Sequence, residues 1–142
     1  MKMEIRPYIS FNDECNEAIE LYKSAFNSEV IQIMRFRDLP ENPNWEIPER
    51  YMDRVVQVTM KFGDNFIRMS DCGPMQKIKT GQSERTSIAV EAGIEEIRSA
   101  FEVLSVEGIV GMDLAETFYS PCAGVVFDKF DVMWNLTAVK EN

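Results

Sequence analysis

Residues 3–11 (MEIRPYISF) alternate in an extended-chain pattern: Ile5, Pro7, Ile9 and Phe11 share one side, and Arg6, Tyr8 and Ser10 the other. The period then changes. Cys15, Ala18, Ile19, Tyr22, Ala25 and Phe26 recur at helical spacing, Glu14, Glu17, Glu20 and Lys23 fall off that stripe, and Asp13 is placed to cap the first turn. Asn27 and Ser28 end the predicted helix, and residues 29–37 (EVIQIMRFR) return to strand character. Residues 38–50 carry Pro40, Pro43 and Pro48 and predict a loop, although one that also holds the apolar Trp45. Residues 54–62 (RVVQVTMKF) and 65–70 (NFIRMS) alternate again on either side of Gly63-Asp64, which predicts a hairpin.

After a polar stretch at 71–84 the order repeats. Residues 85–91 (RTSIAVE) predict a strand, and 93–105 a helix with Ile94, Ile97, Phe101 and Leu104 in one stripe and Glu95-Glu96 in its first turn. Strands at about 109–118, 122–127 and 131–139 complete the second half. The elements therefore run β-α-β-β-β twice, with a faint internal echo between FGDNFI at 62–67 and FDKFDVMW at 127–134. Hairpins join the last three strands of each half, so the fold class is α+β with mostly antiparallel sheets.

Composition narrows the function classes. The 142 residues suit one domain, and 45% of them are apolar, enough for a core. No apolar run approaches a membrane span, and the start, Met1-Lys2-Met3-Glu4-Ile5, has no apolar leader, so a cytoplasmic location is expected. A net charge of −9 argues against nucleic acid and anionic membranes as partners. Cys15, Cys72 and Cys122 are odd in number and widely spaced, which predicts reduced thiols. The chain has no histidine, which removes the commonest transition-metal ligand and the commonest general base together.

Three segments carry a family resemblance: PYISFNDECNEAIELYKSAF at 7–26, KFGDNFIRMSD at 61–71 and ETFYSPCAGVVFDKFDVMWNL at 116–136. With the matching strand–helix order, they make the chain resemble the PhnB-like branch of the vicinal-oxygen-chelate superfamily. That superfamily shares its fold with glyoxalases, bleomycin-resistance proteins and extradiol dioxygenases, and PhnB-like members are often described as demethylubiquinone methyltransferase-like. The resemblance implies a single domain, 1–142, of two βαβββ modules at about 1–72 and 84–140. It also implies curled sheets around a small-molecule cavity, within a homodimer.

Superfamily enzymes hold a divalent metal through four side chains, two from each half. The corresponding positions here are Arg6, Gln57, Ser87 and Asn135, each flanked by apolar residues expected on the opposite side of its strand. A guanidinium, two amides and a hydroxyl do not replace the hydration of a divalent ion, so neither metal nor other cofactor is expected. The departures Phe118-Tyr119-Ser120 and Phe130-Asp131-Val132 from the family's FWG and FGV segments set the chain further apart.

The first expectation is thus a small-molecule binding protein, with Arg6, Tyr8, Ser10, Gln57, Thr59, Ser87, Glu91, Tyr119 and Asn135 lining a pocket and Glu91 or an anionic ligand opposite Arg6. Against it stands the plainer expectation that these polar groups satisfy one another. The alternatives are a metal-dependent lyase, dioxygenase or glyoxalase-like enzyme recruiting Glu91 or Asp71, and a dimeric scaffold for a protein partner. Trp45 is a further candidate ligand contact. Cys72 and Cys122, with no histidine to activate a thiol, are expected as small apolar fillers, as are Met34, Met60, Met69 and Met133.

Overall fold

A computed structural model describes residues 2–44, 46–72 and 86–140. The loop expected at 71–84 lies beyond Cys72 outside these residues, as does Trp45. The described elements are β1 (Tyr8–Phe11), α1 (Cys15–Phe26), β2 (Glu29–Arg35), β3 (Val55–Phe62), β4 (Asn65–Asp71), β5 (Ser87–Ala92), α2 (Ile94–Ser105), β6 (Ile109–Ala115), β7 (Ala123–Phe127) and β8 (Met133–Ala138). Single turns of 3-10 helix at Phe36–Asp38 and Glu49–Tyr51 interrupt the long β2–β3 connection. The strands form two open four-stranded sheets of identical topology, β1-β4-β3-β2 and β5-β8-β7-β6. In each, the first strand lies parallel to the last and the other pairs are antiparallel. This is the α+β, twice-βαβββ arrangement expected from the periodicity.

The chain divides into two compact units, Met1–Glu20 with Ser28–Ile78, and Leu21–Asn27 with Lys79–Asn142. Module boundaries drawn from the sequence give all of α1 to the first half, whereas by packing its last turns belong to the second.

In unit 1 the core side of the sheet carries Ile9, Phe11, Val58, Met60, Ile67 and Met69, all buried. The first strand is shorter than its alternation predicts. Tyr8 pairs with Arg68, and extending that register backwards puts Ile5 opposite Asn65, where β4 only begins. Pro7 has no N–H to donate, so the ladder starts after it, and Met3 and Ile5 are exposed rather than core-facing.

The cap on α1 also differs from expectation. Asp13 has a left-handed backbone (φ 70°) and its carboxylate pairs with Arg54 at 2.7 Å. The N–H of Cys15 donates instead to Asp71 Oδ1 at 2.9 Å, while Asp71 Oδ2 accepts from the N–H of Val55 at 2.9 Å. One buried carboxylate thus satisfies an orphan donor at the start of α1 and another at the start of β3. The Cys15 thiol is pushed up from its ordinary pKa by burial, then by the nearby Asp71 charge, which leaves it a packing group.

Unit 2 is organised around Asp128, in the β7–β8 connection. Its Oδ2 accepts from the Tyr22 hydroxyl at 2.6 Å and Trp134 Nε1 at 2.9 Å, and its Oδ1 from the N–H groups of Phe130 (2.8 Å) and Val132 (3.1 Å). Tyr22 and Phe26, from the end of α1, meet the fully buried Trp134 ring at centroid distances of 5.2 and 4.7 Å. Ile97, Ala100 and Leu104 of α2 complete the core with Val126 and Leu136. Gly108 follows α2 where a Cβ would lie 2.3 Å from the Phe127 carbonyl and 2.6 Å from that of Leu104, so only glycine lets β6 begin so close to the end of β7. Ser120 Oγ donates to the Ala138 carbonyl at 2.6 Å and accepts from the N–H of Cys122 at 3.1 Å. This fastens the buried Cys122 at the foot of β7. Cys15, Cys72 and Cys122 are not disulfide-bonded.

Removing the Asp128 carboxylate strands four donors. Asp128→Ala should therefore cost about 3–5 kcal/mol in denaturant unfolding, and Tyr22→Phe, which deletes one hydrogen bond, about 1 kcal/mol. Burial raises the pKa of both Asp71 and Asp128 above the ordinary 3.8, the hydrogen bonds each accepts opposing the rise only in part. The folded state then holds these protons more tightly than the unfolded chain does. Their contribution is full below the unfolded pKa and is lost as pH rises through the raised folded values. Stability measured across that acidic window should fall with rising pH, and the part due to Asp128 should disappear in Asp128→Asn.

Candidate functional site

Register decides which side chains share the outer face of each sheet. In unit 1 the pairings Tyr8↔Arg68, Arg68↔Thr59 and Thr59↔Gln32 draw one row across all four strands. The residues flanking the central members of this row, Ile9, Val58, Met60, Ile67 and Met69, are buried on the core side. The row is therefore the polar side of the sheet. Ser10 pairs with Ser70 on β4, and Gln57 on β3, two residues from Thr59 and so on the same face, pairs with Met34 on β2. On the other side of Arg68 lies Phe66, opposite Lys61. Thr59 and Ser70 are buried, Ser10, Gln57 and Arg68 half-buried, and Tyr8 exposed.

Four of the expected pocket residues, Tyr8, Ser10, Gln57 and Thr59, thus share one face. Arg6 joins them differently from expectation. It lies ahead of β1, its guanidinium 4.9 Å from the centre of the Phe66 ring, and its Nη2 donates to Glu4 Oε2 at 2.7 Å. It thus meets the carboxylate of Glu4, on the same side of the extended chain two residues earlier, a local contact that the expectation of Glu91 or an anionic ligand did not include.

In unit 2, Ser87, Ala89 and Glu91 are exposed on β5, and Asn135, paired with both Ala89 and Val125, is exposed on β8. Trp134 and Leu136 on either side of Asn135 are fully buried, so Ser87, Glu91 and Asn135 share the outer face of the second sheet. This face is less polar than the first: Met133, Val125 and Phe127 lie between its few hydrophilic groups. Tyr119 belongs to neither sheet. It sits in the β6–β7 connection, edge-on to the exposed Phe118 at 5.1 Å, and its N–H donates to Thr117 Oγ1. Glu95 and Glu96 are exposed at the start of α2, as a solvated helix end requires.

The sequence reading overlooked Arg68, which occupies the middle of the unit 1 row. Its Nε is buried with no hydrogen-bond partner, and its guanidinium makes no ion pair among the described residues. The signal was present in NFIRMS: an arginine between Ile67 and Met69, both core-facing, must point to the other face.

The four positions expected to correspond to the superfamily's metal ligands divide evenly, Arg6 and Gln57 in unit 1 and Ser87 and Asn135 in unit 2. Within unit 1 the pair is a cation and a neutral amide, and within unit 2 a hydroxyl and an amide, so neither supplies the anionic or imidazole donors a divalent ion requires. Among the described residues no group of three or more Cys, Asp or Glu is placed to hold one either. The side chains present do not fit the metal.

Comparisons with known proteins agree with this geometry of paired four-stranded sheets. The chain is 28% identical to Protein YjdN of Escherichia coli strain K12 over 145 residues, covering 98% of this chain and 97% of that one. The crystal structure of PA1353 from Pseudomonas aeruginosa superposes with a TM-score of 0.82 at 25% identity, across 99% of this chain and 100% of that one. A PhnB protein from Bacillus cereus gives 0.68 at 24% identity, across 96% and 100%. The chain has the vicinal-oxygen-chelate fold, which the PhnB protein shares. The fold also extends to FosX of Listeria monocytogenes, a fosfomycin resistance protein solved with Mn(II) and sulfate, at a TM-score of 0.60 and 11% identity over 99% of this chain and 93% of that one. No family model matches the chain. Among the described residues no helix is long and apolar enough to cross a membrane.

The donor chemistry sets an expected outcome. Protein purified without chelators should carry no stoichiometric divalent metal by elemental analysis, and added Mn, Ni, Zn or Fe should leave its melting temperature unchanged.

Proposed function

We propose that this chain is a small-molecule binding protein of the PhnB-like type that works without the superfamily's metal. The observation that carries the reading is the polar row Tyr8–Arg68–Thr59–Gln32 on the outer face of the first sheet. A sheet face built for solubility alone exposes its polar groups. Here Thr59 is 6% and Ser70 7% exposed, so hydroxyls are held out of water beside a half-buried cation. Few, fixed polar groups among apolar neighbours are the usual form of a ligand site. Ser87, Glu91 and Asn135 offer a second, sparser set on the other sheet, and Tyr119 an exposed aromatic. An enzyme with atypical metal ligands is the weaker reading, because the fold likeness to FosX brings no ligand residues with it.

Assembly as a homodimer belongs to the same proposal. The edge strand β6 leaves Ile109, Val110 and Met112 exposed, and Phe118 is 98% exposed. An open edge and apolar side chains of this kind are ordinarily covered by a partner. Light scattering should then give twice the mass of the chain.

A thermal-shift screen with small aromatic, neutral and anionic metabolites tests the binding role. At least one class should raise the melting temperature saturably in the wild type, with the gain reduced about tenfold in affinity by Tyr8→Ala or Thr59→Val. No response across the screen from well-folded protein sinks the reading.

A further inference from the structure

We infer that the outer face of the first sheet is an oxyanion site centred on Arg68, taking the carboxylate, phosphate or phosphonate group of a small molecule. The inference rests on the binding role just proposed and names the chemistry of its ligand.

Arg68 has a hydroxyl-bearing neighbour on each adjacent strand, Tyr8 on β1 and Thr59 on β3. Paired residues of neighbouring strands lie about 5 Å apart. An anion seated on the guanidinium is therefore within reach of both hydroxyls. Arginine suits such a partner because its planar fork of N–H groups matches two oxygens at once.

The acids of this unit that could neutralise Arg68 are committed elsewhere or face another way. Glu4 is held by Arg6 at 2.7 Å and Lys2 at 3.7 Å. Glu29 stands opposite Lys61 at the end of β2. Asp71 lies on the core side of β4, occupied by the N–H groups of Cys15 and Val55. What is left is a charge with one N–H removed from water and, among the described residues, no acceptor for it. A buried donor in that condition is costly unless something outside the chain completes it. Arg6, over the Phe66 ring two residues along β4 from Arg68, is paired with Glu4 and leaves Arg68 as the cation of this row without a carboxylate among the described residues. That cation matters more because the chain as a whole carries −9 and repels anions at long range.

The test follows the Arg68 Nε–Hε resonance of the full chain by 15N NMR during titration with inorganic phosphate, sulfate and benzoate, each against chloride at matched ionic strength. A saturable shift of that resonance with at least one oxyanion is expected, together with shifts of the Tyr8 and Thr59 amides. Arg68→Gln should abolish the amide response. Arg68→Lys, which keeps the charge without the fork, should retain it about tenfold weaker and covers the case in which Arg68→Gln does not fold. No saturable response beyond chloride, or amide shifts that survive Arg68→Gln, overturns the inference. If neutral compounds from the thermal-shift screen still bind in a way sensitive to Tyr8→Ala, the binding role stands and only its anionic chemistry falls.

Discussion

In unit 1 the carboxylate of Asp71 takes backbone protons from two segments far apart in sequence, Cys15 at the head of α1 and Val55 at the head of β3. That double acceptance fixes the end of β4 against both. With β4 held, its alternation is settled: Ile67, Met69 and Asp71 look inwards, and Phe66, Arg68 and Ser70 outwards. A one-residue slip would bury the arginine in the core and expose two fully apolar positions. The polar row that forms the candidate site is thus a consequence of where one buried acid finds its donors.

Unit 2 uses the same device with different partners. Asp128 gathers two backbone N–H groups and two side-chain donors, Tyr22 and Trp134, at the turn that corresponds to Gly63-Asp64 in the first sheet. Both acids are buried, and the hydrogen bonds each accepts offset part of the cost of that burial. The contrast with Arg68 is chemical. The core-side acids are satisfied by the chain itself, whereas the Nε of the outward-facing Arg68 has no partner among the described residues.

Much of the architecture was legible in the sequence because burial on one face imposes a period of two on strands and of 3.6 on helices. The parity of Ile88, Val90, Trp134 and Leu136 sets Ser87, Glu91 and Asn135 on the opposite side of their strands, where all three are exposed. What the sequence hid were relations between distant segments. The cap of α1 was sought next to it, at Asp13, and comes from Asp71. The first strand was drawn too long because alternation persists through Met3 and Ile5, although no neighbouring strand reaches them. Arg6 is expected at a metal-ligand position with Glu91 or an anionic ligand opposite it, and the carboxylate it meets within unit 1 is the local Glu4. Arg68 passed unnoticed within a short hairpin strand, since its importance lies in the register with Tyr8 and Thr59, which no single segment reveals.

The final turns of α1 pack on Trp134 in unit 2, although they precede every residue of β2, β3 and β4 in the chain. Trimming Tyr22 or Phe26 would therefore loosen a strand laid down far later in the chain rather than the strands that come next.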